Sequence, residues 1–303
     1  MSSMIVGYES ALAAAEVGFR AVFNEGLESG EARYNALIDA LSGAPIRDDV
    51  EIVNHVLSGP LPAMVEWVGD RKIAGLEAST FQIINKRWAI GIEVREQDVR
   101  RNTLGKVEGR IRDLGKSVAK KKFGLLRTLL NAVKTTSCYD GVYFAATNHP
   151  VGSSTASNLT TDLFDADALA AAIARMKNLT DDAGDPLDVM PTHLFVGPEL
   201  EFSALEVLKR SKDDYGADNV LQGYLDLVVI PGMTTNTWAV ISAADSARPF
   251  ILQVPQDGQF RALNTPEASA AFHRGVYLYG TDFEGNAGAG LWQLMQYSDA
   301  SGS

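Results

Sequence analysis

The stretch Phe81-Gln-Ile-Ile-Asn85-Lys86-Arg87-Trp88-Ala-Ile90-Gly-Ile92-Glu-Val94, followed by Leu104-Gly-Lys-Val107-Glu-Gly-Arg-Ile111-Arg-Asp-Leu114-Gly-Lys-Ser-Val118, decides how this chain is to be read. In the first part apolar residues recur at every second position: Phe81 and Ile83, then Trp88, Ile90, Ile92 and Val94. That is strand spacing, and the polar Asn85, Lys86 and Arg87 between the runs predict the tip of a two-stranded hairpin. From Leu104 the steps become three and four, so one face of a long helix reaching Val133 is apolar. An isolated hairpin is marginal in water, and a helix with a narrow apolar stripe is stabilised mainly by what packs on it. Both elements need cover, from this chain's own core or from another chain.

With 303 residues, the chain is long enough for one large domain or two smaller ones. Hydrophobic residues make up 46% and charged residues 21%, the balance of an ordinary globular protein. No apolar run approaches the roughly 18 residues of a membrane span. Met1 to Ser10 has no basic start followed by an apolar stretch, so no secretory signal is expected and the triplets at Asn158 and Asn178 carry no glycosylation meaning. The single cysteine, Cys138, excludes an intrachain disulfide, and His55, His149, His193 and His273 lack zinc-ligand spacing, so neither metal nor cofactor is expected. The net charge of −11 argues against a general nucleic-acid binder. It is uneven: Arg95 to Arg127 holds eleven Lys/Arg against four Asp/Glu. A basic stretch on an otherwise acidic chain suits association with identical copies, or else is a solvated helix face.

Around this centre, Tyr8 to Phe23 and Glu31 to Leu41 read as two short helices punctuated by Gly26, Gly30 and Gly43. Met64 to Val68 and Tyr139 to Ala146 are strand-like, and Thr147 to Thr161 is a polar loop. Ala166 to Met176 has helical spacing. His193 to Val196 is a short apolar strand that meets Gly197-Pro198, a helix start. Leu225 to Ile230, Trp238 to Ile241, Phe250 to Val254, Val276 to Tyr279 and Leu291 to Tyr297 are further strands, giving an α+β chain.

The motifs that carry chemistry are weak. Cys138, Asn148 and His149 have the residue types of a thiol nucleophile with its base, but no protease signature surrounds the cysteine, and a lone cysteine is usually a small buried hydrophobe. Gly285, Gly288 and Gly290 do not form a phosphate loop and read as points of tight turning or close approach to another chain. Asp181, Asp182 and Asp185 miss the calcium-loop spacing, and the run from Gly152 to Ser157 lacks the second glycine of a nucleophile elbow. No catalytic residue is assigned.

The chain resembles the major head subunit of Mu-like phages and prophages. The resemblance rests on Glu66-Trp-Val-Gly-Asp-Arg71, the Asn85-Lys86 pair, Leu104-Gly105, Cys138-Tyr-Asp-Gly141 and Asn148-His-Pro-Val-Gly152. Further along, Pro191-Thr-His-Leu-Phe-Val-Gly-Pro198, Arg248-Pro-Phe-Ile251 and Asn286-Ala-Gly-Ala-Gly-Leu-Trp-Gln293 follow in the same order. It departs from the family pattern at Arg101-Asn102-Thr103 and in its Lys120-Lys-Lys122 run.

The resemblance implies the Hong Kong 97-type capsid fold. It would comprise an N-terminal arm over residues 1–59, an extended hairpin loop with its strand base over 60–96, and a peripheral domain with a long spine helix over 97–190. An axial domain would follow over 191–249, with return strands and tail over 250–303. It also implies self-assembly into hexamers and pentamers of an icosahedral head enclosing double-stranded DNA, formed in the host cytoplasm and ending in the virion. The partners implied are a separate scaffolding protein, since position 1 is a methionine and no propeptide is expected to be cut away, a portal, a decoration protein, and DNA held non-specifically; no membrane is involved. Trp67, Arg71, Phe81, Asn85, Lys86, Arg87, Trp88, Arg100, Arg101, Lys120, Lys121 and Lys122 are the expected subunit-interface residues. Two other readings stand beside it: a soluble hydrolase using Cys138 or the Ser153 region, and a nucleic-acid binder using the basic helix.

Overall fold

The computed structural model describes residues 2–47, 52–58, 78–100, 104–212, 216, 218–265 and 268–301. In chain order it runs α1 (Ser2–Ser42), β1 (Ile52–Ser58), β2 (Ala78–Ile84), β3 (Lys86–Arg95), α2 (Glu96–Arg100) and α3 (Leu104–Asn131). There follow β4 (His149–Val151), β5 (Ser154–Ala156), β6 (Leu159–Thr160), α4 (Ala166–Lys177), β7 (His193–Val196) and α5 (Glu201–Lys209). The last third holds β8 (Asp226–Val229), β9 (Thr237–Ile241), β10 (Phe250–Leu263), α6 (Ser269–Arg274), β11 (Val276–Ala289) and β12 (Met295–Asp299).

The apolar stripe of α3 is buried as its spacing predicts: Val107, Ile111, Leu114 and Val118 all lie in the main core. They pack under a three-stranded antiparallel sheet in the order β10-β11-β3. On the same core lies α1, with Phe19 edge-on to Tyr279 at 5.3 Å and Tyr34 stacked on Phe123 at 5.1 Å. The two short helices expected at the N-terminus are one continuous helix. Gly26 and Gly115 do not break their helices; they let α1 and α3 cross at backbone distance. A methyl group at Gly26 would overlap the carbonyl oxygen of Arg112, and one at Gly115 that of Phe23.

This crossing predicts opposite outcomes for the same substitution. Gly115→Ala is expected to cost about 1–3 kcal/mol by forcing the helices apart. Gly109→Ala and Gly124→Ala, where an added Cβ meets nothing within 4 Å, are expected to gain up to about 1 kcal/mol of helix propensity. Thermal melting of the three variants checks the contrast, and a stabilised Gly115→Ala would refute the close crossing.

The expected pairing of Phe81 to Ile84 with Trp88 to Val94 is corrected. Strand β2 pairs with β1, from Ile52 opposite Ile84 to Ser58 opposite Ala78, while β3 pairs with β11, from Val276 opposite Arg95 to Gly285 opposite Lys86. Only Asn85 separates β2 from β3, and no residue from 85 to 87 has the positive φ that a tight two-residue hairpin turn requires. The alternation was a true strand signal, but the partner of β3 lies about 190 residues away in sequence.

A second sheet, in the order β6-β12-β9-β7-β8, supports a second core with α4 and α5. All five residues of β9 are buried, as a fully covered apolar strand should be. Asp165 caps α4 by accepting the N–H of Ala168 at 2.7 Å. Three local readings change. Tyr139 to Ala146 forms no strand, only an isolated bridge from Ser137 to Tyr143. The polar loop after it holds the small β4–β5 hairpin and β6. Trp292–Leu294 is a short 3₁₀ turn ahead of β12, not part of that strand. Strands β10 and β11 are 14 residues each, longer than their apolar ends, with register shifts between Gln253 and Gln259.

Candidate functional site: an assembly surface along β2, β3 and α3

The surface begins at the β1–β2 hairpin, a two-stranded sheet that gains no third strand among the described residues. Its base is tied to β11: Asn286 Nδ2 donates to the carbonyl of Ile84 at 2.9 Å, and a side chain at Gly288 would overlap that of Ile83. The close approach expected of Gly288 is therefore to this chain's own hairpin. Beyond Ile84 the ladder continues for six further pairs to Ser58 and Ala78, about 20 Å at strand rise.

Past Asn85, which is buried, the chain enters the exposed edge of the first sheet. No strand pairs with the outer side of β3 among the described residues, and Ile90 is 50% exposed. Lys86 is exposed opposite Gly285 on the same chain. Arg87 donates to Asp282 in the middle of β11, and Arg261 of β10 donates to the other oxygen of that carboxylate at 2.6 Å. One buried acid thus ties three strands. Trp88 donates its Nε1–H to the carbonyl of Gly285 at 3.0 Å, and the Lys121 ammonium lies 3.5 Å from its ring centroid, a cation–π contact. Between β3 and α3 a cavity of about 310 Å³ is lined by Trp88, Ile90, Val118, Lys121 and Phe283.

The lysine run on α3 splits into three environments. Lys120 is exposed, Lys121 covers Trp88, and Lys122 is 3% exposed between Glu31 of α1 at 2.7 Å and Asp257 of β10 at 2.6 Å. Phe81 belongs to β2 and Arg100 ends α2, with their side chains not described; Trp67, Arg71 and Arg101 lie outside the described residues, as does the strand expected at Met64 to Val68. The structure therefore sets Trp88 against Lys121 on the α3 side of β3, carries Arg87 to Asp282 on the opposite side of the sheet, leaves Lys86 exposed at the start of the strand and turns Lys122 inward. The carboxylates that organise them, Asp257 and Asp282, sit in polar stretches of β10 and β11 whose composition gave no strand signal.

The residues weighed for thiol chemistry are not assembled for it. Burial, with help from the Asp140 charge, pushes the Cys138 thiol up to about 12, and its Sγ lies 3.6 Å from the carbonyl of Gly290. Asn148 is exposed, and both nitrogens of His149 are engaged by Asp140 and Asn158. Among the described residues there is no group of three His, Cys, Asp or Glu that could hold a metal, and no helix long and apolar enough to cross a membrane.

Four carboxyls in this framework share one behaviour. Burial pushes Asp140, Asp257, Asp282 and Asp299 upward, but hydrogen bonds and charge from His149, Lys122, Arg261 with Arg87, and Lys134 outweigh it and leave each below the ordinary 3.8. A depressed carboxyl stabilises the fold fully above its unfolded value, and that contribution is lost as the pH falls through the folded value. Through these four carboxyls the subunit is expected to lose stability below about pH 4, with no carboxyl-linked change above about pH 5. Asp257→Asn and Asp282→Asn should each lower the stability at neutral pH and shallow the acid slope in pH-dependent melting; an unchanged slope in both would show that these pairs do not couple to folding.

A family model described as Mu-like prophage major head subunit gpT matches residues 12–163, 160–233 and 231–301. The chain is 24% identical over 282 residues to the Mu-like prophage FluMu major head subunit of Haemophilus influenzae, covering 92% of this chain and 70% of that protein. It is 29% identical over 133 residues to the major capsid protein of Escherichia phage Mu, covering 44% of this chain and 42% of that protein. Among solved structures, the procapsid of bacteriophage JBD30 superposes with a TM-score of 0.60 at 20% identity, over 99% of this chain and 76% of that one.

Proposed function

Because the chain belongs to the Mu-like prophage major head subunit family, and is therefore a structural protein of the virion working as one of many copies and not an enzyme, we propose that its β1–β2 hairpin is the element that joins each copy to the next. The single observation carrying this is the hairpin itself. It extends about 20 Å from its tie to β11 with no third strand beside it among the described residues, and two strands alone are marginal. The residues between its strands, 59–77, carry Leu61, Met64, Val65, Trp67 and Val68, an apolar set that gains from cover by a neighbour.

In this reading copies gather as hexamers and pentamers of an icosahedral head around double-stranded DNA, which contacts the inner face without sequence preference. Trp67, Arg71, Arg100 and Arg101 meet the neighbouring copy, together with the exposed Lys86 and Lys120 and the half-covered Trp88 and Lys121. The half built on α3 is peripheral and the half built on the five-stranded sheet is axial. A separate scaffolding protein, a portal and a decoration protein complete the particle.

Replacing residues 59–77 by a two-residue turn tests the proposal. The expected result is a subunit with unchanged melting temperature that forms no closed shells in negative-stain images. Normal shells from the shortened chain would overturn the role given to the hairpin.

A further inference from the structure

Asn158 makes one ring nitrogen of a buried histidine a donor. Its Oδ1 accepts the backbone N–H of Ala146 at 3.0 Å and its Nδ2 donates to the carbonyl of Phe144 at 2.8 Å, so backbone partners leave the amide one orientation. His149 Nε2 lies 3.1 Å from that same Oδ1, and a nitrogen facing an acceptor must donate. On the other side of the ring, Nδ1 lies 2.6 Å from Asp140 Oδ2. The second oxygen of Asp140 accepts the N–H of Val142 at 3.1 Å, an arrangement that suits the carboxylate form. With Asp140 as the carboxylate, both ring nitrogens carry hydrogens.

We propose that His149 is a doubly protonated imidazolium in the folded subunit and that it locks the joint between the subunit's two halves. The ring is 0% exposed and stacks face to face on Trp292, with centroids 4.0 Å apart and planes 8° from parallel. A cation withdrawn from water this completely persists only with a charge partner and an acceptor for each of its protons. Asp140 and the Asn158 amide supply both, and the indole face adds a cation–π contact.

The location of the ring sets its role. Asn158 leads directly into β6, and Trp292 opens the 3₁₀ turn that leads into β12. These two strands carry the chain from the α3 half into the five-stranded sheet, where they pair in parallel, and the Tyr297 N–H donates to the Asn158 carbonyl at 2.8 Å. Asn158 also donates to the carbonyl of Trp292 at 3.4 Å. One imidazolium thus holds the Asp140 loop, the entry to β6 and the entry to β12 in one cluster.

The test uses the full-length chain labelled with ¹⁵N at histidine. Solid-state spectra at neutral pH, with the His149 signals assigned by their loss in His149→Gln, are expected to show both ring nitrogens protonated. The same ring in Asp140→Asn is expected to be neutral. One bare nitrogen in the unsubstituted chain would overturn the proposal, whether or not the variants fold, and an unchanged cation in Asp140→Asn would remove Asp140 from it. Hydrogen exchange then tests the lock: in Asp140→Asn the amides of Asn158 and Tyr297 are expected to exchange at least roughly tenfold faster, while Leu126, Leu194 and Val240 keep their rates. Equal acceleration throughout, or none at Asn158 and Tyr297, would overturn it.

Discussion

Trp292→Ala is expected to lower the stability of the subunit by about 3–5 kcal/mol, the usual cost of truncating a fully buried tryptophan. Its side chain is 1% exposed in the main core, where it covers the face of His149. Removing the indole leaves a cavity and also strips the histidine of its stacking partner, so the upper part of that range is expected. The loss should appear in thermal melting of the isolated subunit before any assembly step. A soluble variant with unchanged melting would show that Trp292 acts at a surface between copies and not in the core.

Lys122→Met is expected to cost about 3 kcal/mol, the lower end for breaking a buried ion pair by removing one partner. The methylene stem is retained, so packing changes little; what remains is Glu31 and Asp257 facing one site with no ammonium between them. Their side chains are 32% and 26% exposed, which lets water soften the penalty. Arg47, 3.3 Å from Asp257, compensates only in part from an exposed position. Adding Glu31→Gln and Asp257→Asn to Lys122→Met should recover much of the loss, because the cost lies in uncompensated charge. A triple variant no more stable than Lys122→Met would refute that origin and point to the packing of α1 on α3.

Much of the framework could be read from apolar spacing, and the failures have specific physical causes. The stripe from Val107 to Val118 placed α3 because a helix period over so many turns has no competing explanation. The run from Trp88 to Val94 identified β3 but not its neighbour, since alternation reports which face is buried and says nothing of which strand lies alongside. Asn85 to Arg87 reads as a tip on polarity alone and lacks the glycine or positive φ that a tight turn needs. The later parts of β10 and β11 give no strand signal because Pro255 to Gln259 and Gly280 to Gly288 are mostly polar and glycine-rich; their order comes from cross-strand partners such as Arg87, Arg261 and Asp282. Lys122 was counted with its neighbours as surface charge, and only the positions of Glu31 and Asp257, both distant in sequence, turn it inward. The ordered motifs, and not the hairpin spacing, carry the family resemblance: of the expected tip, Asn85 lies between two strands, and Lys86 and Arg87 lie within β3.

The passage from β2 to β3 through Asn85 without a turn gives the hairpin a mechanical character. Ala78 to Arg95 is a single ribbon whose outer stretch pairs with β1 and whose inner stretch is clamped in the sheet by β11 and by the Arg87–Asp282 link. Such a ribbon is a lever and not a flap. A pull on the outer arm would therefore act directly on β3, where Trp88 meets Lys121 of the long helix beneath.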